Sequence, residues 1–85
     1  MNMTEKQTQI MSVVVKANPD GSFVDIDQVL ERIPYETTKE SMQFSVRALI
    51  KNQLITRGDK TKRRGRSRTL LAPTELAYFM MRGII

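Results

Sequence analysis

Seven of the twelve residues from Arg57 to Arg68 are basic (Arg57, Lys60, Lys62, Arg63, Arg64, Arg66 and Arg68), and Asp59 is the only acid among them. They make up half of the 14 lysines and arginines of the 85-residue chain. The remainder is balanced: six bases stand against seven acids up to Thr56, and Arg82 stands against Glu75 after Arg68. The formal net charge of +5 therefore sits in one segment. Such a concentrated field favours a polyanionic partner, because phosphates that meet Lys and Arg release their condensed counterions. The plain alternative is a solvated, charge-rich loop.

A second group of polar side chains lies upstream, between Thr38 and Lys51. Thr38, Lys39 and Ser41 fall where a helix would begin, and hydroxyls and free N–H groups at a helix start can meet a phosphate. Gln43 and Arg47 lie one helical turn apart; glutamine pairs two-pronged with adenine and arginine with guanine. Lys51, one turn further on, suits the nucleic-acid backbone. Glu40 is the discordant member of this face; it repels phosphate unless it accepts from a cytosine amino group or balances Lys39.

Other chemistries are poorly served. The chain has no cysteine and no histidine, so it lacks a thiolate nucleophile, a cysteine-built zinc site and the commonest general base. Asp25 and Asp27 suit helix capping better than metal binding. No enzymatic activity, metal, cofactor or small-molecule ligand is expected. No apolar run approaches the roughly 18–20 residues that span a bilayer. The polar start Met1-Asn2-Met3-Thr4-Glu5-Lys6 is unlike a signal peptide, so a cytoplasmic protein, prokaryotic or encoded by a phage or plasmid, is expected.

These side chains need elements to present them. Thr4 with Gln7 reads as a capping box opening a helix to Asn18, with Ile10, Met11, Val13, Val14 and Ala17 on its apolar face. Asn18-Pro19-Asp20-Gly21-Ser22 stops it. Phe23 to Ile26 reads as a short extended segment, and Asp25 or Asp27 as the cap of a helix to Arg32 with Val29, Leu30 and Ile33 inward. Pro34 ends that helix. A third helix starts at Thr37 or Thr38 and runs to about Asn52, with Met42, Val46, Leu49 and Ile50 buried; Phe44 is expected to pack on Tyr35 or the second helix. Gln53 to Arg57 and Arg68 to Ala72 read as paired strands. Residues 58–67 read as a flexible basic loop, too long for a tight turn. Thr74 caps a last helix, Glu75 to Met81, with Leu76, Phe79 and Met80 facing the core, and Gly83 ends it. The fold expected is one domain over residues 1–85, mainly α with a small β-hairpin (α+β).

That order resembles a winged helix-turn-helix domain over roughly Glu5 to Met81. The resemblance rests on the helix–turn–helix from Asp27 to Asn52, on Asn52-Gln53-Leu54-Ile55-Thr56-Arg57, and on Arg64-Gly65-Arg66-Ser67-Arg68-Thr69-Leu70-Leu71-Ala72-Pro73-Thr74-Glu75. The last stretch is similar to the wing tip, return strand and capped final helix of regulators of the multiple-antibiotic-resistance type. Gln53 stands where that family usually carries glycine. Its long dimerising flanking helices have no counterpart in these residues.

The resemblance implies a recognition helix bearing Thr38, Lys39, Ser41, Gln43, Arg47 and Lys51, laid in a major groove about 12 Å wide. It implies a wing bearing Arg57, Lys60, Lys62, Arg63, Arg64, Arg66 and Arg68. There, Arg63, Arg64 and Arg66 are placed to enter a narrow minor groove, and Arg57 and Arg68 to meet phosphates. The partner expected is double-stranded DNA, with homodimerisation through the first helix and the C-terminal helix or tail. The function expected is a small transcriptional regulator repressing by occlusion. The competing readings are a protein-interaction module gripping an acidic partner, and a non-specific DNA or RNA binder acting in replication, partition or packaging.

Overall fold

In the computed structural model, which describes residues 3–84, Thr4 opens α1 (Glu5–Lys16) with a reciprocal cap. Its hydroxyl accepts from the Gln7 N–H at 3.1 Å, and its own N–H donates to Gln7 Oε1 at 3.0 Å. Two of the donors that a helix start leaves unpaired are thus satisfied. Ile10, Met11 and Val14 then fall on one face and are fully buried. The helix stops at Lys16, two residues before the expected end, because Ala17 turns to a positive φ of 58°.

Asp25, rather than Asp27, caps α2 (Ile26–Arg32), and does so with Gln28 in a second capping box. Ile33 leaves the helix at an extended ψ of 149°, as a residue before proline must. Thr38 caps α3 (Lys39–Lys51), accepting from the Ser41 N–H at 3.1 Å, and Met42, Val46 and Leu49 form the buried stripe.

At the end of α3, the Leu54 N–H donates to the Leu49 carbonyl at 2.9 Å and the Gln53 N–H to the Ile50 carbonyl at 3.0 Å. This is a Schellman closure, with Leu54 and Leu49 as its buried apolar pair. Gln53 takes the left-handed φ of 63° that glycine occupies without strain. Gln53→Gly is therefore expected to stabilise the protein by about 0.5–1 kcal/mol, read as a raised urea midpoint at unchanged slope. A lowered midpoint would show that the Gln53 side chain holds this turn.

The largest departure from expectation is the basic segment. Residues 58–67 are not a flexible loop. They form most of an antiparallel hairpin, β1 (Ile55–Arg63) and β2 (Arg66–Pro73), closed by Arg64 and Gly65 alone at φ of 52° and 76°. Two positive φ values in a two-residue loop make the turn whose twist matches that of the flanking strands. Ladder pairing runs Ile55–Pro73, Thr56–Ala72 and Arg57–Leu71, then resumes at Lys60–Thr69 after a bulge. Val24 adds one bridge to the outer edge of β2, its carbonyl accepting from the Leu71 N–H at 2.8 Å. It is all that forms of the short first strand expected there.

Thr74 caps α4 (Glu75–Met81), and its hydroxyl also donates to the Gln53 carbonyl at 2.6 Å, joining the hairpin's exit to its entry. Ala77 and Met81 are the fully buried residues of α4, with Met80 packed beside them. Leu76 and Phe79, expected inward, are exposed, because the short helix can turn only one side to α1 and β2. Phe44, expected to pack on Tyr35 or α2, is exposed as well. Ile84 is exposed, and Ile85 lies outside the described residues. The described residues form an α+β unit of four helices and one two-stranded hairpin around a single core. Among the described residues no helix is long and apolar enough to cross a membrane.

Candidate nucleic-acid interface

The register of the hairpin sorts its basic side chains onto two faces. Cross-strand partners share a face, and residues two apart on one strand share it too. Arg57 pairs with Leu71, Lys60 with Thr69 and Lys62 with Ser67. Ser67, Thr69 and Leu71 alternate along β2, so Arg57, Lys60 and Lys62 lie together; the bulge between Arg57 and Lys60 keeps them in phase. Thr61 with Arg68, and Arg63 with Arg66, occupy the opposite face.

The second face is partly covered, and its arginines are spoken for. The Arg63 guanidinium donates to Asp25 Oδ2 at 3.0 Å, Gln28 Oε1 at 2.8 Å, Ser22 Oγ at 3.3 Å and the Phe23 carbonyl at 3.0 Å. Its side chain is only 21% exposed. Arg68, 16% exposed, pairs with Asp27, which also pairs with Lys39 at 3.0 Å. Arg64 at the turn pairs with Glu31 at 3.0 Å but stays 72% exposed. The placement of Arg63 in a minor groove therefore needs correcting. With four acceptors from the 22–28 segment around it, Arg63 anchors the hairpin to the start of α2. Arg68 has the same character, tying β2 to α2.

Asp25 is the centre of this anchor and is only 3% exposed. Burial pushes its carboxyl upward, but the Gln28 N–H, the hydrogen bond and charge of Arg63, and the charge of Arg68 together outweigh it. The carboxyl consequently titrates below its ordinary value of 3.8. Gln28 serves as a hub, its Oε1 also accepting from the Asp25 N–H at 3.2 Å and from Asn18 Nδ2 at 3.2 Å. Sequence reasoning does not reach these partners. Its one available signal is Asp25-Ile26-Asp27-Gln28 as a capping box, which marks the cap but not the arginine that joins it.

The first face of the hairpin turns toward α3. Between them lies an open groove of about 400 Å³, lined by Lys39, Gln43 and Arg47 from α3, by Arg57, Ser67 and Thr69 from the first face of the hairpin, by Arg68 from its second face, and by Asp25 and Ile26 at the start of α2, with the buried Val46 and Leu71 at its base. Lys60 and Lys62 continue the hairpin wall by register and are exposed. Of the expected site residues, Lys39, Gln43, Arg47, Arg57 and Arg68 are thus gathered around one groove. Thr38 and Ser41 are exposed at the start of α3, with the Thr38 hydroxyl occupied by its cap, and Lys51 is exposed at the far end. Arg66 is exposed beside the turn. Ser67, read from the sequence as part of the loop, and Thr69, read as part of the strand, are additions to the site.

Charge on the groove is uneven. Asp27 pairs with both Lys39 and Arg68 and offsets one of their two charges, whereas Arg47, Arg57, Lys60 and Lys62 have no ion-pair partner among the described residues. Among the same residues no cluster of three or more acids offers a metal site.

No family model and no curated protein matches the chain. Among solved structures, the crystal structure of AF1382 from Archaeoglobus fulgidus is similar, with a TM-score of 0.73 at 11% identity, over 96% of this chain and 82% of that one. At that identity the likeness concerns the fold.

Proposed function

We propose that the chain is a sequence-specific double-stranded DNA-binding protein, with the fold read as a winged helix-turn-helix. In this reading α3 enters the major groove and the β1–β2 hairpin is the wing, lying on the backbone and presenting Arg64 and Arg66 to the adjacent minor groove. The observation that carries it is the groove shared by α3 and the hairpin, which sets Gln43 and Arg47 beside Arg57 and the hairpin lysines. Base-reading groups and unpaired cations on one concave wall are what a duplex requires, since phosphate contacts position and base contacts specify. A cytoplasmic repressor acting by occlusion is the simplest role, and no catalytic step is invoked.

Arg47→Ala tests the assignment of α3. It is expected to cost about 1–3 kcal/mol on the preferred duplex and to flatten the ranking of variant sites, because a guanine loses its two-pronged donor. An equal loss on every sequence would place Arg47 on the backbone and remove α3 as the reading element.

The proposal includes a homodimer through α1 and α4. Leu76, Tyr78 and Phe79 are exposed on α4, beside a shallow depression lined by Val15, Tyr78, Met81 and Arg82. Two copies double a short half-site and add affinity. The duplex selected from a random pool, with the mass of its complex measured alongside, should be palindromic, with half-sites about one turn apart. A single copy on an asymmetric site would refute the dimer and leave the DNA assignment standing.

A further inference from the structure

Phe44 is 71% exposed, the most exposed of the large apolar side chains among the described residues. It sits at the middle of the outward face of α3, opposite the buried Met42, Val46 and Leu49. Its polar neighbours on that face, three and four residues away, are Glu40, Ser41 and Arg47, with Lys51 two turns on. A patch built to dock another protein would group apolar residues, yet the other exposed large apolar residues, Phe23, Leu76, Tyr78, Phe79 and Ile84, all lie outside α3. A lone phenyl ring among polar and cationic groups calls for a partner that is itself mostly polar and anionic, with one apolar spot. The major groove of DNA fits that description. Every other recognition feature of its floor is a hydrogen-bond donor or acceptor, and the C5-methyl group of thymine is the exception.

We infer that Phe44 reads a thymine methyl group, making it a specificity-determining residue of the α3 surface. The inference rests on the DNA-binding reading proposed above. The ring has no polar atom with which to tell donors from acceptors, so it discriminates by apolar contact alone. Arg47, three residues on, and Gln43, further round α3 toward the groove, supply the hydrogen-bonded part of the same readout.

The test uses the duplex selected by the full chain. Each thymine is replaced in turn by deoxyuridine, which removes the methyl group and leaves the Watson–Crick edge unchanged. Wild-type protein is expected to bind about fourfold more weakly at one thymine per half-site, the effect of one methyl group withdrawn from burial. Phe44→Ala, whose side chain is too exposed to hold the fold, should bind the thymine and deoxyuridine duplexes equally at that position. No thymine with such an effect, or an effect that survives in Phe44→Ala, overturns the inference while the DNA assignment stands. A chain that selects no duplex overturns both.

Discussion

Arg63→Ala is expected to destabilise the protein by about 2–4 kcal/mol, the usual consequence of stripping one partner from a buried ion pair. Asp25 is left buried, and Gln28, Ser22 and the Phe23 carbonyl each lose a donor. In a domain of this size the loss should lower the thermal midpoint by about 10 °C or more. Arg63→Lys should recover little, because an ammonium cannot reproduce a planar fork that reaches four acceptors.

The pH dependence separates an electrostatic anchor from simple packing. In the wild type Asp25 titrates below 3.8, so its stabilising contribution is full above that value and is lost as pH falls through the folded pKa. Without Arg63, burial is opposed by fewer stabilising groups and the carboxyl moves up. The gap between wild type and Arg63→Ala should therefore be widest above the variant's raised folded pKa and narrow as pH falls from there to the depressed folded pKa of the wild type. A gap that is constant from neutral to acid pH would show that Arg63 acts by packing alone.

The anchor also bears on recognition. Arg63 ties β1 to the start of α2, Arg68 ties β2 to Asp27, and Asp27 in turn holds Lys39 at the first turn of α3. Helix and hairpin are thus fixed to one small helix between them. A surface whose two arms are already positioned loses less freedom on binding than one with a free loop.

That anchor explains why the outer half of the hairpin is illegible in the sequence, whereas its base is read as paired strands. Gly58-Asp59-Lys60-Thr61-Lys62-Arg63 contains few residues that favour strands, and the turn is Arg64-Gly65 rather than Asn-Gly. What orders the segment is a set of hydrogen bonds to residues some 35–41 positions earlier, which no local pattern reports. The helices are legible because their determinants are local: Thr4 with Gln7, Thr38 before Lys39, Pro34 after Ile33. Their apolar stripes at 10, 11 and 14 and at 42, 46 and 49 are the buried ones. α4 is legible in extent but not in orientation, since on a seven-residue helix Leu76 and Phe79 are as apolar as Ala77 and Met81. Of the candidate site, the α3 members can be placed by helical spacing. Which arginines of the hairpin are free depends on a strand phase that the bulge shifts.

Replacing Arg57, Lys60 and Lys62 together by alanine is expected to weaken duplex binding on the order of 100-fold, at roughly 1 kcal/mol for each charged group removed. These three share the hairpin face that meets the groove beside α3, are exposed, and have no ion-pair partner among the described residues. Removing them should leave the fold intact, unlike removal of Arg63. If all three meet phosphates, a plot of log affinity against log salt should flatten by about 2.7, since each phosphate neutralised contributes about 0.9. The loss should be uniform across sequences, in contrast to Arg47→Ala, because backbone contacts carry no base information. A triple variant that binds as tightly as wild type across the salt range would leave the hairpin as scaffold only. A loss confined to one sequence would instead assign these side chains to base reading.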